Sequence, residues 1–118
     1  MTKTALFGVA FDAHDAAKVA RFWADTLGRQ VAEGADAHDA VVLASDQVRA
    51  GPRLAFHQVP EGKAVKNRVH LDLATDDLDG EAARLTELGA TVVNTIAGQA
   101  RWITFADPEG NEFDLISI

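Results

Sequence analysis

The sequence contains no cysteine, and this absence excludes several kinds of site at once. Without cysteine there are no disulfides, no thiolate metal ligands and no cysteine nucleophile, and the composition suits a reducing compartment. Long apolar runs are missing as well. Residues 1–7 lack the apolar segment of a signal peptide, and no stretch is long enough to span a membrane. We therefore expect a soluble protein of the cytoplasm.

Positive charge is also scarce. The 11 lysines and arginines are outnumbered by 18 acidic residues, which gives a formal net charge of −7. Such a surface repels nucleic-acid backbones and anionic lipids. The densest basic stretch, Lys63, Lys66 and Arg68, is too short for a binding stripe and is interpreted as a solvated loop. We expect no nucleic-acid partner and no membrane partner.

Several cofactor and catalytic motifs are absent too. The glycines never occur in the G-x-G-x-x-G spacing of a dinucleotide-binding turn, and there is no P-loop. No Ser-His-Asp arrangement is visible either. A nucleotide cofactor is therefore not expected.

The residues that are present form a repeated pattern. With 118 residues, 47% of them apolar, the chain suits one globular domain over residues 1–118. In the first half, apolar residues alternate over a strand at 4–11, and a helix with Asp15 as its N-cap ends at Gly28. A loop is predicted at 45–52. Further strands are predicted at residues 30–33, 40–44 and 53–59.

The second half repeats this order. A strand is predicted at 68–74, followed by a helix at 78–88 that Asp77 caps and Gly89 ends. Three strands follow, at residues 91–95, 101–105 and 112–118, and the sequence DPEGN at 107–111 predicts a tight turn before the last strand.

The two halves align at a constant offset. Matching the capping residues Asp15 and Asp77 gives 77 − 15 = 62, and this offset places Phe7 on Val69. It also places Gly8 on His70. Each half is therefore predicted to have one sheet face packed under its helix and a second face, more polar in the second half, that points elsewhere. Residues 61–64 are predicted to link the halves.

Four segments match a known family. They read ARFWADTLG at 20–28, VPE at 59–61, KNRVHLDL at 66–73 and ADPEGNEF at 106–113. In this order they resemble the vicinal oxygen chelate superfamily of glyoxalase, bleomycin-resistance and dioxygenase proteins, and in particular its glyoxalase-like branch common in actinobacteria. The resemblance covers nearly the whole chain.

The resemblance implies an α+β fold of two tandem β-α-β-β-β modules, at about residues 1–60 and 66–118, forming a curled mixed sheet around a cup-shaped cavity. Members of the superfamily typically hold a divalent metal there, and the metal chelates adjacent oxygens of a small molecule. Members also commonly pair, so a homodimer is expected.

By position, the resemblance implies that His70 and Asp114 are metal ligands from the second module. The matching last-strand position of the first module is His57 or Gln58, because the register is open by one residue. The remaining ligand position is Gly8, which cannot bind a metal. An ion such as Ni, Mn, Fe, Zn or Mg, held by His57, His70 and Asp114, is the predicted cofactor.

Other residues are candidates for catalysis or substrate contact. His70 and Asp72 are the predicted catalytic residues, with Asp72 either a general base or the group that orients His70. Trp102 either stacks on a ligand or belongs to the core. Substrate contacts are predicted for Trp102, Phe7 and Arg68.

Two functions remain open at this point. The first is a metal-assisted lyase, isomerase or dioxygenase acting on a small molecule with adjacent oxygens. The second is a metal-free protein of the same fold that binds or sequesters a small molecule, as resistance proteins do, or acts on it through His70 and Asp72. The glycine at position 8 favours the second.

Overall fold

A computed structural model describes residues 2–45, 51–98 and 101–118. It contains two helices and seven strands in those ranges, and the chain divides into two compact units, Met1–Gly62 and Lys63–Ile118. The boundary lies inside the segment predicted as a linker. The predicted loop at 45–52 falls largely on residues 46–50, which lie outside the described residues. In the described ranges no helix is both long enough and apolar enough to cross a membrane.

The elements of the first unit are β1 (Gly8–Ala13), α1 (Ala16–Leu27), β2 (Asp39–Val42) and β3 (Arg53–Gln58). Its sheet has the order β1-β3-β2, with β1 parallel and β2 antiparallel to β3. The side chain of Asp15 accepts a hydrogen bond from Lys18 N, and Gly28 takes the left-handed conformation that ends the helix. Both ends of α1 agree with the prediction.

The core of the first unit lies between α1 and one face of this sheet. Phe56 of β3 is fully buried and stacks on Phe11 of β1, with ring centroids 5.2 Å apart. Val19 and Trp23 of α1 are buried with them, and Trp23 is 1% exposed. Because strand side chains alternate, the other face carries residues such as Gly8, Arg53 and His57. This second surface is the open face of the first sheet.

The elements of the second unit are β4 (Leu71–Thr75), α2 (Leu78–Leu88), β5 (Thr91–Ile96), β6 (Trp102–Ala106) and β7 (Glu112–Ser117). Its sheet has the order β4-β7-β6-β5, with β4 parallel to β7 and the other pairs antiparallel. Phe105 and Phe113 stack at 5.6 Å and are buried with Leu85 of α2. The other surface of this sheet is its open face.

Three strand predictions need correction. The segment 30–33 forms only an isolated bridge between Val31 and Val42, because the chain leaves the sheet before Gly34, whose φ is +88°. The first strands of both units also begin later than predicted. Phe7 and Val69 therefore precede the strands and are exposed by 73% and 71%, instead of packing under the helices.

Candidate functional site

The open face of the second sheet carries a row of polar side chains. Asp72 of β4 is aligned with Asp114 of β7, and Asp114 with Thr104 of β6. Thr104 Oγ1 donates a 2.5 Å hydrogen bond to Asp114 Oδ1. Because the threonine hydroxyl donates its proton to the carboxylate, this hydrogen bond fixes the orientation of the carboxylate. Asp114, predicted as a metal ligand, is therefore held in place within its own sheet.

An apolar row lies next to the polar one on the same face. Ala74 of β4 is aligned with Ile116 of β7, and Ile116 with Trp102 of β6. Trp102 is half-buried, so part of its ring is open to solvent. An aromatic ring beside two carboxylates suits contact with a small molecule that has an apolar body and polar substituents.

His70 immediately precedes β4, two residues before Asp72. Its Nε2 atom lies 2.9 Å from the carbonyl oxygen of Asn67. A carbonyl oxygen only accepts hydrogen bonds, so Nε2 must carry the proton and the lone pair of the neutral ring lies on Nδ1. The predicted alternative in which Asp72 orients His70 receives no support, because a backbone carbonyl performs this role.

The loop that holds His70 is fastened to β7 by Glu112. One carboxylate oxygen accepts from Asn67 N and the other from Lys63 Nζ, both at 3.0 Å. The Glu112 side chain is only 15% exposed. Burial raises the pKa of Glu112, but the hydrogen bonds from Asn67 and Lys63 outweigh it, so the pKa is lowered overall. Lys63, Lys66 and Arg68 lie in an exposed loop, as predicted, and Lys63 in addition pairs with Glu112.

The turn before β7 is organised by a buried aspartate. Asp107 accepts from Glu109 N and Asn111 N, both at 2.9 Å, and from the Asn111 side chain. Gly110 has φ of +86°, which a glycine adopts without strain. This turn sets the start of β7, and with it the positions of Glu112 and Asp114. The turn predicted from DPEGN is confirmed.

The open face of the first sheet presents His57. Its Nδ1 atom lies 2.7 Å from Asp39 Oδ1, and both side chains are exposed. His57 alternates with Arg53, which is the strand partner of Gly8, so His57 shares the face of Gly8. Gln58 points elsewhere and donates to the carbonyl of His14. Of the two candidates for the last-strand position of the first module, His57 is therefore the one that lies on the same face as Gly8.

Gln58 belongs instead to a separate surface pocket of the first unit. This pocket has a volume of about 370 Å³ and is lined by His14, Gln58, Val59 and Pro60. His14 is exposed. Of the predicted site residues, this pocket contains only Gln58, the alternative to His57.

The space beside Gly8 is already filled. A side chain built at this position would have its Cβ 2.9 Å from Arg53 Cγ and 3.3 Å from Arg53 Nε. The first distance is shorter than real Cβ contacts and the second is tighter than most, so a ligand side chain at this position would require Arg53 to move. Where the resemblance implies a first-strand metal ligand, the structure has an arginine.

The remaining predicted substrate contacts, Phe7 and Arg68, lie just before the first strands of the two units. Phe7 precedes β1, and the guanidinium of Arg53 lies over its ring, 4.3 Å from the centroid. Arg68 is exposed in the loop before β4. Sequence reasoning did not select Arg53, because its importance depends on a strand neighbour 45 residues away.

The sequence model of the glyoxalase-like domain family matches residues 8–116. The chain belongs to this family. A search of curated proteins found no match. The predicted fold class is confirmed, with two helices and two separate sheets.

Solved structures of this fold cover nearly the whole chain. A fosfomycin resistance protein, FosX, from Mesorhizobium loti is 20% identical, with a TM-score of 0.74, over 100% of this chain and 94% of its own. A glyoxalase/bleomycin resistance protein/dioxygenase family enzyme from Burkholderia phytofirmans is 16% identical, with a TM-score of 0.76, over 98% and 99%.

A second FosX, from Listeria monocytogenes, is described as a complex with Mn(II) and a dihydroxypropylphosphonic acid. It is 15% identical, with a TM-score of 0.74, over 98% of this chain and 91% of its own. Similarity at this level establishes the fold, and the site chemistry must be argued from the residues of this chain.

One position of the expected metal-ligand set has no donor in this glyoxalase-like domain. The first-strand position is Gly8, and the side chain beside it is a cation that would repel a metal ion. In neither unit do the described residues bring together three or more histidine, aspartate or glutamate side chains suited to a metal.

Proposed function

We propose that this protein binds a small molecule with an apolar body on the open face of the second sheet, and that it acts on that molecule by metal-independent acid–base chemistry. The observation that carries the proposal is the hydrogen bond between His70 Nε2 and the carbonyl of Asn67. It fixes the tautomer and leaves Nδ1 as the basic atom.

The proton acceptor in this proposal is His70 Nδ1. When Nδ1 takes a proton from a C–H or O–H next to a carbonyl of the bound molecule, the ring becomes positively charged. Nε2–H then donates a stronger hydrogen bond to Asn67 O, which stabilises the charged ring.

Asp72 and Asp114 supply the carboxylates of the same sheet. Asp114 is oriented by Thr104, so it suits a fixed contact to a polar substituent of the ligand. Asp72 is exposed and is proposed as the second acid–base group. Trp102 stacks on the apolar body. Arg68, in the exposed loop before β4, is proposed as a further contact.

The rival function is metal-assisted chemistry with His57, His70 and Asp114 as ligands. This rival is supported by the FosX complex with Mn(II), because FosX has the same fold. The position of Arg53 beside Gly8 counts against it, since the family's ligand set lacks one member and gains a positive charge.

The first experiment is tryptophan fluorescence with a panel of aromatic and aliphatic oxo and hydroxy compounds. Trp23 is 1% exposed, so quenching reports on Trp102. We expect saturable quenching in wild type and in His70→Gln, and none in Trp102→Phe. His70→Gln should bind ligand but lose any turnover by at least tenfold. Quenching that survives in Trp102→Phe, or a flat response across the panel, would contradict binding at this face.

The second experiment separates the rival. Untagged protein is analysed for bound metals, and its Tm is measured with Ni, Mn, Fe and Zn in wild type and His70→Ala. We expect the metals to shift both Tm values equally. A larger shift in wild type than in His70→Ala would overturn the metal-independent proposal.

A further inference from the structure

Arg53 is a half-buried cation on the open face of the first sheet that has no carboxylate partner among the described residues of its unit. Its Nε atom is buried and makes no hydrogen bond within the described residues. Two exposed arginines elsewhere have acidic partners: Arg21 with Asp25, and Arg101 with Asp79. In a chain with a net charge of −7, an unpaired, partly buried guanidinium is unusual.

Three neighbours hold Arg53 in this position. Gly8 has no side chain, and the stem of Arg53 occupies the space that a Cβ would need. Phe7 lies under the guanidinium at 4.3 Å, and this cation–π contact orients its plane. Arg29 donates a 2.7 Å hydrogen bond to the carbonyl of Pro52, which fixes the backbone before Arg53. The guanidinium is thus preorganised, and its two terminal Nη groups are left for another group.

The rest of this face suits the body of a small acid. Next to the Gly8–Arg53 pair lies a row of small or apolar side chains, in which Ala55 is aligned with Ala10 and Val41. Beyond it lies the hydrogen-bonded pair of His57 and Asp39. Four residues along β3 separate Arg53 from His57, about 13 Å at 3.3 Å per residue.

We propose that Arg53 is the anion-binding residue of a carboxylate subsite. The carboxylate of a small monocarboxylic acid accepts two hydrogen bonds from the two terminal Nη groups of the guanidinium, and its apolar body lies along Ala10 and Val41, on either side of the buried Ala55. This subsite belongs to the first unit and goes beyond the acid–base function proposed for the second.

The charge of the surroundings selects a monoanion. Asp12 and Asp39 lie on the same face, and Asp12 is aligned with His57. Two fixed negative charges and an acidic chain penalise a dianion such as phosphate more than a carboxylate of single charge. Benzoate, which combines one carboxylate with an apolar ring, should therefore bind better than inorganic phosphate or acetate.

The test is an NMR titration of ¹⁵N-labelled full-length protein with benzoate, acetate and inorganic phosphate at constant ionic strength. We expect benzoate to shift the side-chain Nε–H signal of Arg53 and the amide of Ala10 saturably, with at least tenfold tighter binding than acetate or phosphate. Arg53→Lys should weaken benzoate binding at least tenfold, because it removes the bidentate edge.

Arg21→Lys is the matched control, since Arg21 is an exposed arginine of the same unit. It should leave benzoate binding unchanged. A Phe7→Leu variant should weaken binding about threefold through loss of orientation. Equal binding in Arg53→Lys and wild type, phosphate binding as tight as benzoate, or no saturable shift in a folded wild type would each overturn the subsite. Because Trp102 lies in the other unit, its quenching tests the proposed function separately.

Discussion

The two units share the parallel pairing of their first and last strands and differ in what their open faces carry. Each begins with a strand that lies parallel to its last one, and each has a helix capped by an aspartate. At the matching position before or within the first strand, one unit has Gly8 and the other His70. The first unit uses the free space to seat an arginine, and the second uses a loop to fix a histidine tautomer. One backbone plan therefore holds an arginine in one unit and a hydrogen-bonded histidine in the other.

The largest effect is expected at the loop that fixes His70. Glu112→Gln removes the charge that holds Lys63 and Asn67 N, and charge-assisted hydrogen bonds of this kind contribute about 2 kcal/mol to stability. The pKa of Glu112 is lowered in the folded protein, so its contribution is present above its unfolded value of 4.5 and is lost as pH falls through the folded pKa.

Urea denaturation of wild type and Glu112→Gln at pH 7 and pH 3 measures this effect. The difference in unfolding free energy should be largest at pH 7 and should shrink at pH 3. Glu81→Gln is the control, because Glu81 pairs with Arg84 on the surface of α2. A difference between Glu112→Gln and wild type that is independent of pH would contradict the role of the charge.

A smaller effect is expected from Gly8→Ala. The new methyl group would lie 2.9 Å from Arg53 Cγ and 3.2 Å from the Arg53 carbonyl, so both must shift, at a cost of about 1–2 kcal/mol. Gly62→Ala is the matched control, since its nearest contact, at 3.8 Å, is ordinary. Thermal unfolding should show a lower Tm for Gly8→Ala alone. Equal Tm values for the two variants would contradict the interpretation that the side chain of Arg53 needs the space beside Gly8.

The smallest effect is expected where the two units are most alike. Asp15→Ala and Asp77→Ala each remove a helix N-cap. The carboxylate of Asp15 accepts a hydrogen bond from Lys18 N, and the carboxylate of Asp77 accepts one from Gly80 N. Each should cost about 1 kcal/mol. Chemical denaturation should give similar losses, and additive ones in the double variant because the caps share no partner. A loss confined to one variant would show that the units differ in their helices as well.

The helices could be predicted to the residue, and the strands could not. Helix ends depend on local signals such as Asp15 and Gly28, which act within a few residues. A strand begins only where a neighbouring backbone is available for pairing. The apolar alternation includes Phe7 and Val69, so the predicted strands extended too far. Apolar alternation indicates a strand but contains no information about the length of its neighbour.

The candidate site divides in the same way. His70 and Asp72 were predicted because they lie in a segment that resembles the family, and Asp114 because it directly follows another such segment. The groups that determine their state were missed, because Lys63 and Glu112 are 49 residues apart and Gly8 and Arg53 are 45 apart. A cue was present for Glu112: both Glu112 and Asn67, whose backbone N–H donates to it, lie in segments that resemble the family.

The parallel pairing of first and last strands also has a consequence for synthesis. In its sheet β1 pairs only with β3, and β4 only with β7, so each first strand is an edge whose partner comes about 40 residues later. On the ribosome, each first strand must wait unpaired while its helix and middle strands emerge. The sheet of each unit can be completed only after its own last strand has been synthesised. The last strand of the first unit is synthesised before the first strand of the second unit.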